Sequence, residues 1–288
     1  MSNPFSGFGS NKYVKGTKDF LESNSIVAKF AFLILILILF VLAVRLGTAI
    51  LSFFFSPKPN PILINGMIDA KQMMRIPQDP SLSGAKPVLR SQNERDGLTF
   101  TWSVWMFIDN LQYNEGQYKH VFHRGNDMIN IDKPNKGMNQ PLNAPGLYIA
   151  PHTNKLVVVM NTFDVINEEV VVPDIPLNKW INVIIRVDEN HQLDVYINGR
   201  LIKRHLLSGV PRQNYGDVWL SLNGGYGGYT SCLRYFDSAI GTNKIQSIVS
   251  DGPCTKLLTK GNQYSDKNNP PYLSLRWYFA GNQDMYNP

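Results

Sequence analysis

Hydrophobic residues follow two different patterns along the chain. Between Ile26 and Phe55 they form one nearly continuous block, with no polar residue from Phe30 to Val44. A bilayer core about 30 Å thick requires roughly 20 apolar residues in a helix, because lipid offers backbone amides and carbonyls no partner. The block predicts a single transmembrane helix over 26–55. Its anchoring side chains include Phe30, Leu33, Leu37, Phe40 and Val44.

Two alternatives to a membrane span are weaker. A buried core helix rarely carries fifteen consecutive apolar residues without a polar face. A cleaved signal peptide needs small residues at its end, where this block has Phe53, Phe54 and Phe55. Lysines before the block favour an N-terminus on the cytosolic side, which would put the domain after the helix on the lumenal side. The sequence has no Asn-x-Ser/Thr glycosylation site, which disfavours a lumenal domain. The membrane topology stays open.

From Leu98 onward apolar and polar residues alternate, which is the pattern of β-strands. In the first strand Phe100, Trp102, Val104, Met106 and Ile108 share one face, and Trp105, Phe107 and Asp109 share the other. Further strands are predicted over 120–123, 146–150, 155–162, 169–172, 180–188, 192–197, 200–207, 217–222 and 230–236, with a short helix over 243–249. Such a series of short strands predicts an all-β antiparallel sandwich or jelly roll.

These patterns divide the chain into five parts. Residues 1–25 are a predicted flexible head, 26–55 the transmembrane helix with its interfacial extension, and 56–97 a proline-rich spacer and lead-in. The lead-in is expected to pack along the domain, with a helical turn from Asp69 to Met74. Residues 98–253 form the β-sandwich, and 254–288 form a tail with a closing strand over 271–279.

Composition excludes some classes of function. The net charge of +6 is spread thinly over 288 residues, so no basic surface for nucleic acid is predicted. The two cysteines, Cys232 and Cys254, form neither a disulfide framework nor a metal site. A single disulfide between them and two free thiols remain equal alternatives.

The order of motifs resembles a known superfamily. PGLYIAPHTNKLVVVM, PLNKWINVIIRVDENHQLDVYINGRLIKR and WLSLNGGYGGYTSCLRYFDSAIGTNKIQSIVSDGP follow one another as in the concanavalin A-like, laminin G-like jelly-roll superfamily. The anchor, the proline spacer, AKQMMRIPQDPS and LRSQNERDGLTFTWSVWMFID resemble its membrane-anchored members in large nucleocytoplasmic DNA viruses, such as chlorella viruses. The narrower resemblance implies a minor capsid or internal-membrane protein of a virion.

No catalytic residues are predicted. The Glu-x-Asp-x-x-Glu strand of the glucanases in that superfamily does not occur in the sequence. The acidic cluster of Asp164, Glu168 and Glu169 is interpreted as a solvated loop. His120 and His123, three apart on a strand, are expected on opposite faces. The remaining histidines, including His205, have no predicted carboxylate partner, so the chain is interpreted as non-enzymatic.

Several residues are candidates for binding. Trp102, Trp180, Trp219 and Trp277 are expected in the core, whereas Trp105 and Phe107 lie on the opposite face from Trp102. A tyrosine-bearing, glycine-rich loop can stack on a sugar ring, and an aspartate with carbonyls can hold calcium. The predicted ligand or partner surface is Trp105, Phe107, Asn223, Tyr226 and Tyr229. No cofactor is predicted, and Asp127 is a weak calcium candidate.

The functional hypothesis joins the anchor to the sandwich. The chain is interpreted as a single-pass membrane protein of a large DNA virus particle that holds the internal membrane to the capsid. Its partners would be the lipid bilayer and capsid or other virion proteins. The alternative is a membrane-anchored, lectin-like receptor that binds glycans, in a host or cell-surface membrane.

Overall fold

The computed structural model describes residues 26–55, 58–91, 93–94 and 97–258. The chain divides into two compact units, Met1–Ser56 and Pro57–Pro288. The predicted head over 1–25 and the predicted closing strand over 271–279, with Trp277, lie outside the described residues.

The described residues of the first unit form helix α1 (Ile26–Phe55), which is apolar on all sides. At about 1.5 Å per residue, its 30 residues reach roughly 45 Å, more than the thickness of a bilayer core. An 18-residue window within Ile26–Phe54 has a mean hydropathy of 3.1, and only 6% of that window is buried. A core helix of the same composition would be covered by the protein. The five predicted anchor residues are all exposed, so α1 has the length and surface of a membrane span.

The second unit is built from strands, whose bounds follow. They are β1 (Met67–Asp69), β2 (Met74–Ile76), β3 (Asn93–Glu94), β4 (Gly97–Leu98), β5 (Phe100–Asn110), β6 (Lys119–Gly125), β7 (Gly146–Ile149), β8 (Leu156–Met160), β9 (Glu168–Val172), β10 (Trp180–Val187), β11 (Gln192–Ile197), β12 (Arg200–Leu206), β13 (Asp217–Leu220) and β14 (Gly227–Phe236). A 3₁₀ helix (Leu222–Gly224) precedes β14, and helix α2 (Thr242–Asp251) follows it.

Twelve of these strands form two six-stranded sheets. The first sheet has the order β1-β14-β5-β10-β11-β12, and the second has the order β2-β13-β6-β7-β8-β9. Every pairing within both sheets is antiparallel. The predicted all-β jelly-roll sandwich, preceded by one apolar helix, is confirmed.

The core lies between the inner faces of the two sheets. The predicted inner residues of β5, from Phe100 to Ile108, all belong to it. Trp102 lies at its centre, with its ring 5.3 Å from that of Phe122 and 5.1 Å from that of Tyr235. Because successive side chains of a strand point to opposite faces, the alternation seen in the sequence locates this core correctly.

A smaller apolar cluster lies on the outer face of the first sheet. Ile245 and Ile248 of helix α2 pack there with Ile184, Tyr196 and Phe236. Helix α2 therefore covers only part of this outer face. The helix predicted over 243–249 is confirmed.

The lead-in contributes a strand to each sheet. Met67 of β1 pairs with Ser231 of β14, and Arg75 of β2 pairs with Trp219 of β13. The predicted helical turn from Asp69 to Met74 is wrong, because the backbone on either side of a short turn finds hydrogen-bond partners at the edges of the two sheets. The lead-in, which was expected to pack along the domain, forms an edge strand in each of its two sheets.

A disulfide joins Cys232 of β14 to Cys254, with 5.6 Å between their Cα atoms. The segment after α2 then runs beside β1, where the Met67 amide donates to the Lys256 carbonyl at 2.7 Å and the Leu258 amide donates to the Met67 carbonyl at 2.8 Å. The sequence leaves a disulfide and two free thiols as equal alternatives, and the structure contains the disulfide.

Two isoleucines of the first sheet provide a matched test of the core. Ile185 of β10 is 1% exposed and Ile202 of β12 is 45% exposed. We expect Ile185→Ala to lower the free energy of unfolding by about 2–5 kcal/mol, because it removes buried methyl groups and leaves a cavity. Ile202→Ala should change it by less than about 0.5 kcal/mol. Denaturant unfolding of the full chain in detergent, followed by tryptophan fluorescence, measures both. Equal effects would contradict the assignment of the inner face.

Candidate functional site

A row of aromatic rings crosses three strands on the outer face of the first sheet. Tyr229 of β14 lies opposite Phe107 of β5, which lies opposite Trp180 of β10. The ring centroids of Phe107 and Trp180 are 5.6 Å apart, and those of Phe107 and Tyr229 are 6.4 Å apart. Phe107 and Trp180 are half-buried and Tyr229 is exposed. We name these three side chains the aromatic row.

A carboxylate flanks the aromatic row. Asp69 of β1 lies opposite Tyr229 and so shares its face of the sheet. Asp109 falls at a register shift in the pairing of β5 with β14, so regular alternation does not assign it to this face. Trp105 also shares this face but is only 6% exposed. Trp105 therefore supports the row from beside it and offers little surface to a ligand.

Trp180 was expected in the core, and this prediction is wrong. The inner residues of β10 are Ile181, Val183 and Ile185, so alternation places Trp180 on the outer face. The alternation of apolar residues in the sequence already indicates an outward Trp180. The prediction instead followed the usual preference of tryptophan for the interior.

Trp102 is buried in the core as expected. Trp219 is also buried, but its neighbours Val218 and Leu220 belong to the core, so Trp219 lies on the outer face of the second sheet. The Arg75 guanidinium carbon lies 5.4 Å from the centre of the Trp219 ring. The expected place of Trp219 in the core is therefore wrong.

The glycine-rich loop does not join the aromatic row in the way the sequence analysis expected. Tyr226 is fully buried, and its hydroxyl donates to the Tyr229 carbonyl at 2.8 Å. Its ring therefore cannot stack on a ligand, which corrects its place in the predicted surface. Asn223 is exposed in the 3₁₀ helix, and its carbonyl accepts a hydrogen bond from the Asn114 side chain at 3.1 Å.

The glycines of this loop are required by close backbone contacts. Gly228 has a φ of +140°, and a Cβ atom there would lie 1.8 Å from the Phe107 carbonyl oxygen. Gly225 has a φ of +56°, and its Cβ would lie 2.0 Å from the Ala70 carbonyl oxygen. Both positions exclude any side chain. The glycines thus allow β14 to approach β5 and set the position of Tyr229.

His120 and His123 of β6 lie together in the interior, not on opposite faces. A register shift in the pairing of β6 with β7 falls between His120 and Phe122. Such a bulge adds one residue to the strand and reverses its alternation. The expectation from regular alternation is therefore wrong, and the His120 Nε2 atom lies 2.6 Å from His123 Nδ1.

The hydrogen bonds around this histidine pair fix the position of each proton. The Leu222 amide donates to His120 Nδ1 at 3.0 Å, so that atom carries no proton. His120 Nε2 therefore donates to His123 Nδ1, and His123 Nε2 donates to the Asn126 carbonyl at 2.7 Å. Each ring is neutral with its proton on Nε2. The chain of bonds ties the loop before β14 to the loop after β6.

Burial keeps both histidines neutral. It lowers the pKa of His120 well below the ordinary value, and the neighbouring His123 lowers it further. Burial also lowers the pKa of His123 to about 4, although the Asn126 carbonyl and Asp127 oppose the shift. A second proton on either ring would make two N–H groups point at each other where one hydrogen bond now lies. Acid therefore weakens the hydrogen bonds that link the two loops.

Glu168 joins the edges of the two sheets. Its side chain accepts a hydrogen bond from His205 Nε2 at 2.8 Å and another from the Ser208 hydroxyl at 2.7 Å. Burial raises the pKa of Glu168, but the hydrogen bonds from Ser208 and His205 outweigh burial and hold the pKa below its ordinary value. The expectations that His205 lacks a carboxylate partner and that Glu168 belongs to a solvated loop are wrong. Because the carboxylate separates the hydroxyl from the imidazole, the histidine is not placed to take a proton from Ser208.

Asp127, the weak calcium candidate, is exposed. Within the described part of the chain, no three histidine, cysteine or acidic side chains gather in a group that could hold a metal ion.

Comparisons with known proteins return remote similarities among solved structures. No protein-family model and no curated protein matches the chain. Among solved structures, the receptor binding domain of botulinum neurotoxin D is 11% identical, with a TM-score of 0.44 over 63% of this chain and 48% of that chain. The binding domain of botulinum neurotoxin DC, solved in complex with rat synaptotagmin II, is 14% identical, with a TM-score of 0.41 over 54% of this chain and 36% of that one. The chain spans less than half the length of either.

The histidine pair predicts how stability depends on pH. The folded pKa of His123 is depressed from 6.5 to about 4, so between these values the unfolded chain binds more protons than the folded chain. Stability is therefore complete above about pH 6.5 and falls as the pH drops towards 4. The loss from His123 alone is roughly 3 kcal/mol.

Urea unfolding of the full chain in detergent between pH 4 and 8 measures this dependence. His123→Gln, which cannot titrate, should flatten the slope. The matched control His152→Gln, at an exposed histidine, should leave the slope unchanged. An identical slope in all three proteins would contradict the assigned neutral pair.

Proposed function

We propose that the chain is a non-enzymatic, single-pass membrane protein whose sandwich docks on a protein partner and so holds that partner at the membrane. The observation that carries the proposal is helix α1, because 30 residues with apolar side chains on every face have no stable place in water. The sandwich is a separate compact unit with a complete core of its own. The anchor and the binding domain are therefore distinct parts of one chain.

In its specific form, the proposal places the protein in a large DNA virus particle. There α1 would lie in the internal membrane, and the sandwich would bind capsid components. The motifs that resemble membrane-anchored viral members of the jelly-roll superfamily support this placement. The Glu168, His205 and Ser208 group supports the non-enzymatic part, since its carboxylate occupies the place that a catalytic base would need.

A second function, binding of glycans, is favoured by the aromatic row. Three adjacent rings with Asp69 beside them offer stacking surfaces and a hydrogen-bond acceptor to sugar hydroxyls. The row lies on a rigid sheet, so no loop ordering opposes binding. This would make the chain a lectin-like attachment protein.

The membrane proposal predicts the fate of charged variants of α1. Replacing Leu37 and Phe40 together by Arg places two charges near the centre of the helix, at about 2.5–3.5 kcal/mol each. We expect the wild-type chain to stay in cell membranes after washing with alkaline carbonate and the double variant to be extracted. The control, Leu37→Val with Phe40→Leu, should be retained.

The same proposal is tested in intact particles. Purified virus particles treated with protease should retain the sandwich, which would lie between the internal membrane and the capsid and should become digestible only after the capsid is opened. Absence of the protein from such particles would contradict the viral role, and carbonate extraction of the wild-type chain would contradict the anchor.

The glycan alternative predicts binding on a glycan array. Tyr229→Ala should weaken that binding about three- to tenfold, because it removes one stacking ring. Tyr229→Phe keeps the ring and should bind as the wild type does. The alternative fails if the wild-type chain binds no sugar on the array, or if Tyr229→Ala binds as well as Tyr229→Phe.

A further inference from the structure

Three loops meet at one end of the sandwich and are hydrogen-bonded to one another. They are residues 126–145 between β6 and β7, 161–167 between β8 and β9, and 207–216 between β12 and β13. The Asn161 amide donates to the Asn143 carbonyl at 2.8 Å, the Phe163 amide to the Val210 carbonyl at 3.0 Å, and the Arg212 amide to the Asn161 carbonyl at 2.8 Å. We name this surface the loop platform.

Buried asparagines hold the loop platform in place. Asn143 and Asn161 are 0% and 3% exposed. The Asn143 amide group donates to the Asn139 carbonyl at 2.7 Å, and its oxygen accepts the Tyr148 hydroxyl at 2.5 Å. The Asn161 amide group donates to the Pro141 carbonyl at 2.9 Å. The two bonds of Asn143 are buried and that of Asn161 is partly buried. These bonds fix the loops before any partner arrives.

The loop platform contains an open pocket with an apolar rim. Its volume is about 390 Å³, and it is lined by Leu142, Ala144, Asn161, Ile166, Arg212 and Tyr215. Large apolar side chains around it are exposed: Phe163 by 67%, Tyr215 by 65% and Ile166 by 58%. Val165 and Val210 add to the exposed set. Exposed apolar side chains that cluster around a pocket mark an interaction surface.

Arg212 presents a cation at this pocket. Its guanidinium carbon lies 5.2 Å from the centre of the Phe163 ring. No carboxylate of the described residues lies within the 4.0 Å ion-pair distance of it. A guanidinium that contacts the face of a ring keeps its N–H donors available for a carboxylate. The ligand that fits the pocket is therefore apolar in one part and anionic in another.

The chemistry of the rim favours a protein as the occupant. The exposed rim is apolar at Phe163, Val165, Ile166 and Val210, and the polar side chains of Gln213 and Asn214 line the pocket beside it. An apolar surface bordered by polar groups is typical of protein interfaces. The charges of the three loops balance, since Asp127, Asp132 and Asp164 match Lys133, Lys136 and Arg212, so an anionic lipid surface is not attracted. Arginine with tyrosine and a neighbouring apolar ring is the combination that dominates binding energy at protein interfaces.

We propose that the loop platform is the surface on which the sandwich binds its protein partner, which inserts an apolar side chain into the pocket and pairs a carboxylate with Arg212. That the partner is a component held at the membrane rests on the function proposed above. The recognition itself rests only on the pocket, its rim and the unpaired guanidinium.

A displayed library of random peptides, selected on the full chain in detergent micelles, tests the proposal. We expect the enriched peptides to share an apolar residue beside an aspartate or glutamate. Arg212→Gln should weaken their binding about tenfold or more, because it removes the partner of a charge at the interface, and Tyr215→Ala should weaken it similarly. The matched controls Arg200→Gln and Leu206→Ala, at exposed positions of the edge strand β12, should leave it unchanged.

Other outcomes overturn the proposal. They are a selection that enriches no peptide, a consensus without a carboxylate, and affinities that do not change in Arg212→Gln. Binding to a glycan array or to vesicles of phosphatidylserine that is lost in Arg212→Gln would assign the pocket to a sugar or a lipid instead. Self-association lost in Tyr215→Ala would assign it to a second copy. Carbonate extraction, run on the same proteins, reports the membrane anchor separately, so either proposal can fail without the other.

Discussion

The sandwich depends on the use of both faces of one central strand, β5. Alternation sends Trp102 into the core, against Phe122 and Tyr235, and sends Phe107 outward between Trp180 and Tyr229. The same backbone that fixes the core therefore fixes the spacing of the outer rings. A shift of register by one residue would exchange the two faces, so the aromatic row is as well determined as the core beneath it.

Alternation and length were enough to predict the apolar helix, the sandwich and the inner face of β5. They failed where a single residue breaks the pattern. The bulge in β6 reverses the direction of His123, and no feature of the sequence distinguishes a bulge from regular strand there. Tyr226 was assigned to a surface by its glycine neighbours, but its hydroxyl finds partners inside the fold. The pairing of His205 with Glu168 joins residues 37 apart in sequence, which no local pattern reveals.

Side-chain hydrogen bonds, not hydrophobic periodicity, determine the positions of the loops around the histidine pair and in the loop platform. The histidine pair connects the loop before β14 to the loop after β6, and Asn143 and Asn161 fix the loop platform. Buried polar groups of this kind are stabilising only when every partner is in place. These hydrogen bonds make the loops rigid without any apolar residues, so no hydrophobic pattern in the sequence reveals them.

An anchor changes what a binding surface must achieve. If α1 holds the chain in a bilayer, as proposed, the chain loses its freedom in one dimension, and copies in one membrane would face their partners together. Each copy then binds at a high effective concentration, so a weak contact through one pocket and one ion pair holds firmly when it is repeated. A small, exposed platform with a single guanidinium suits such a repeated contact better than the large apolar interface that a lone soluble pair would need.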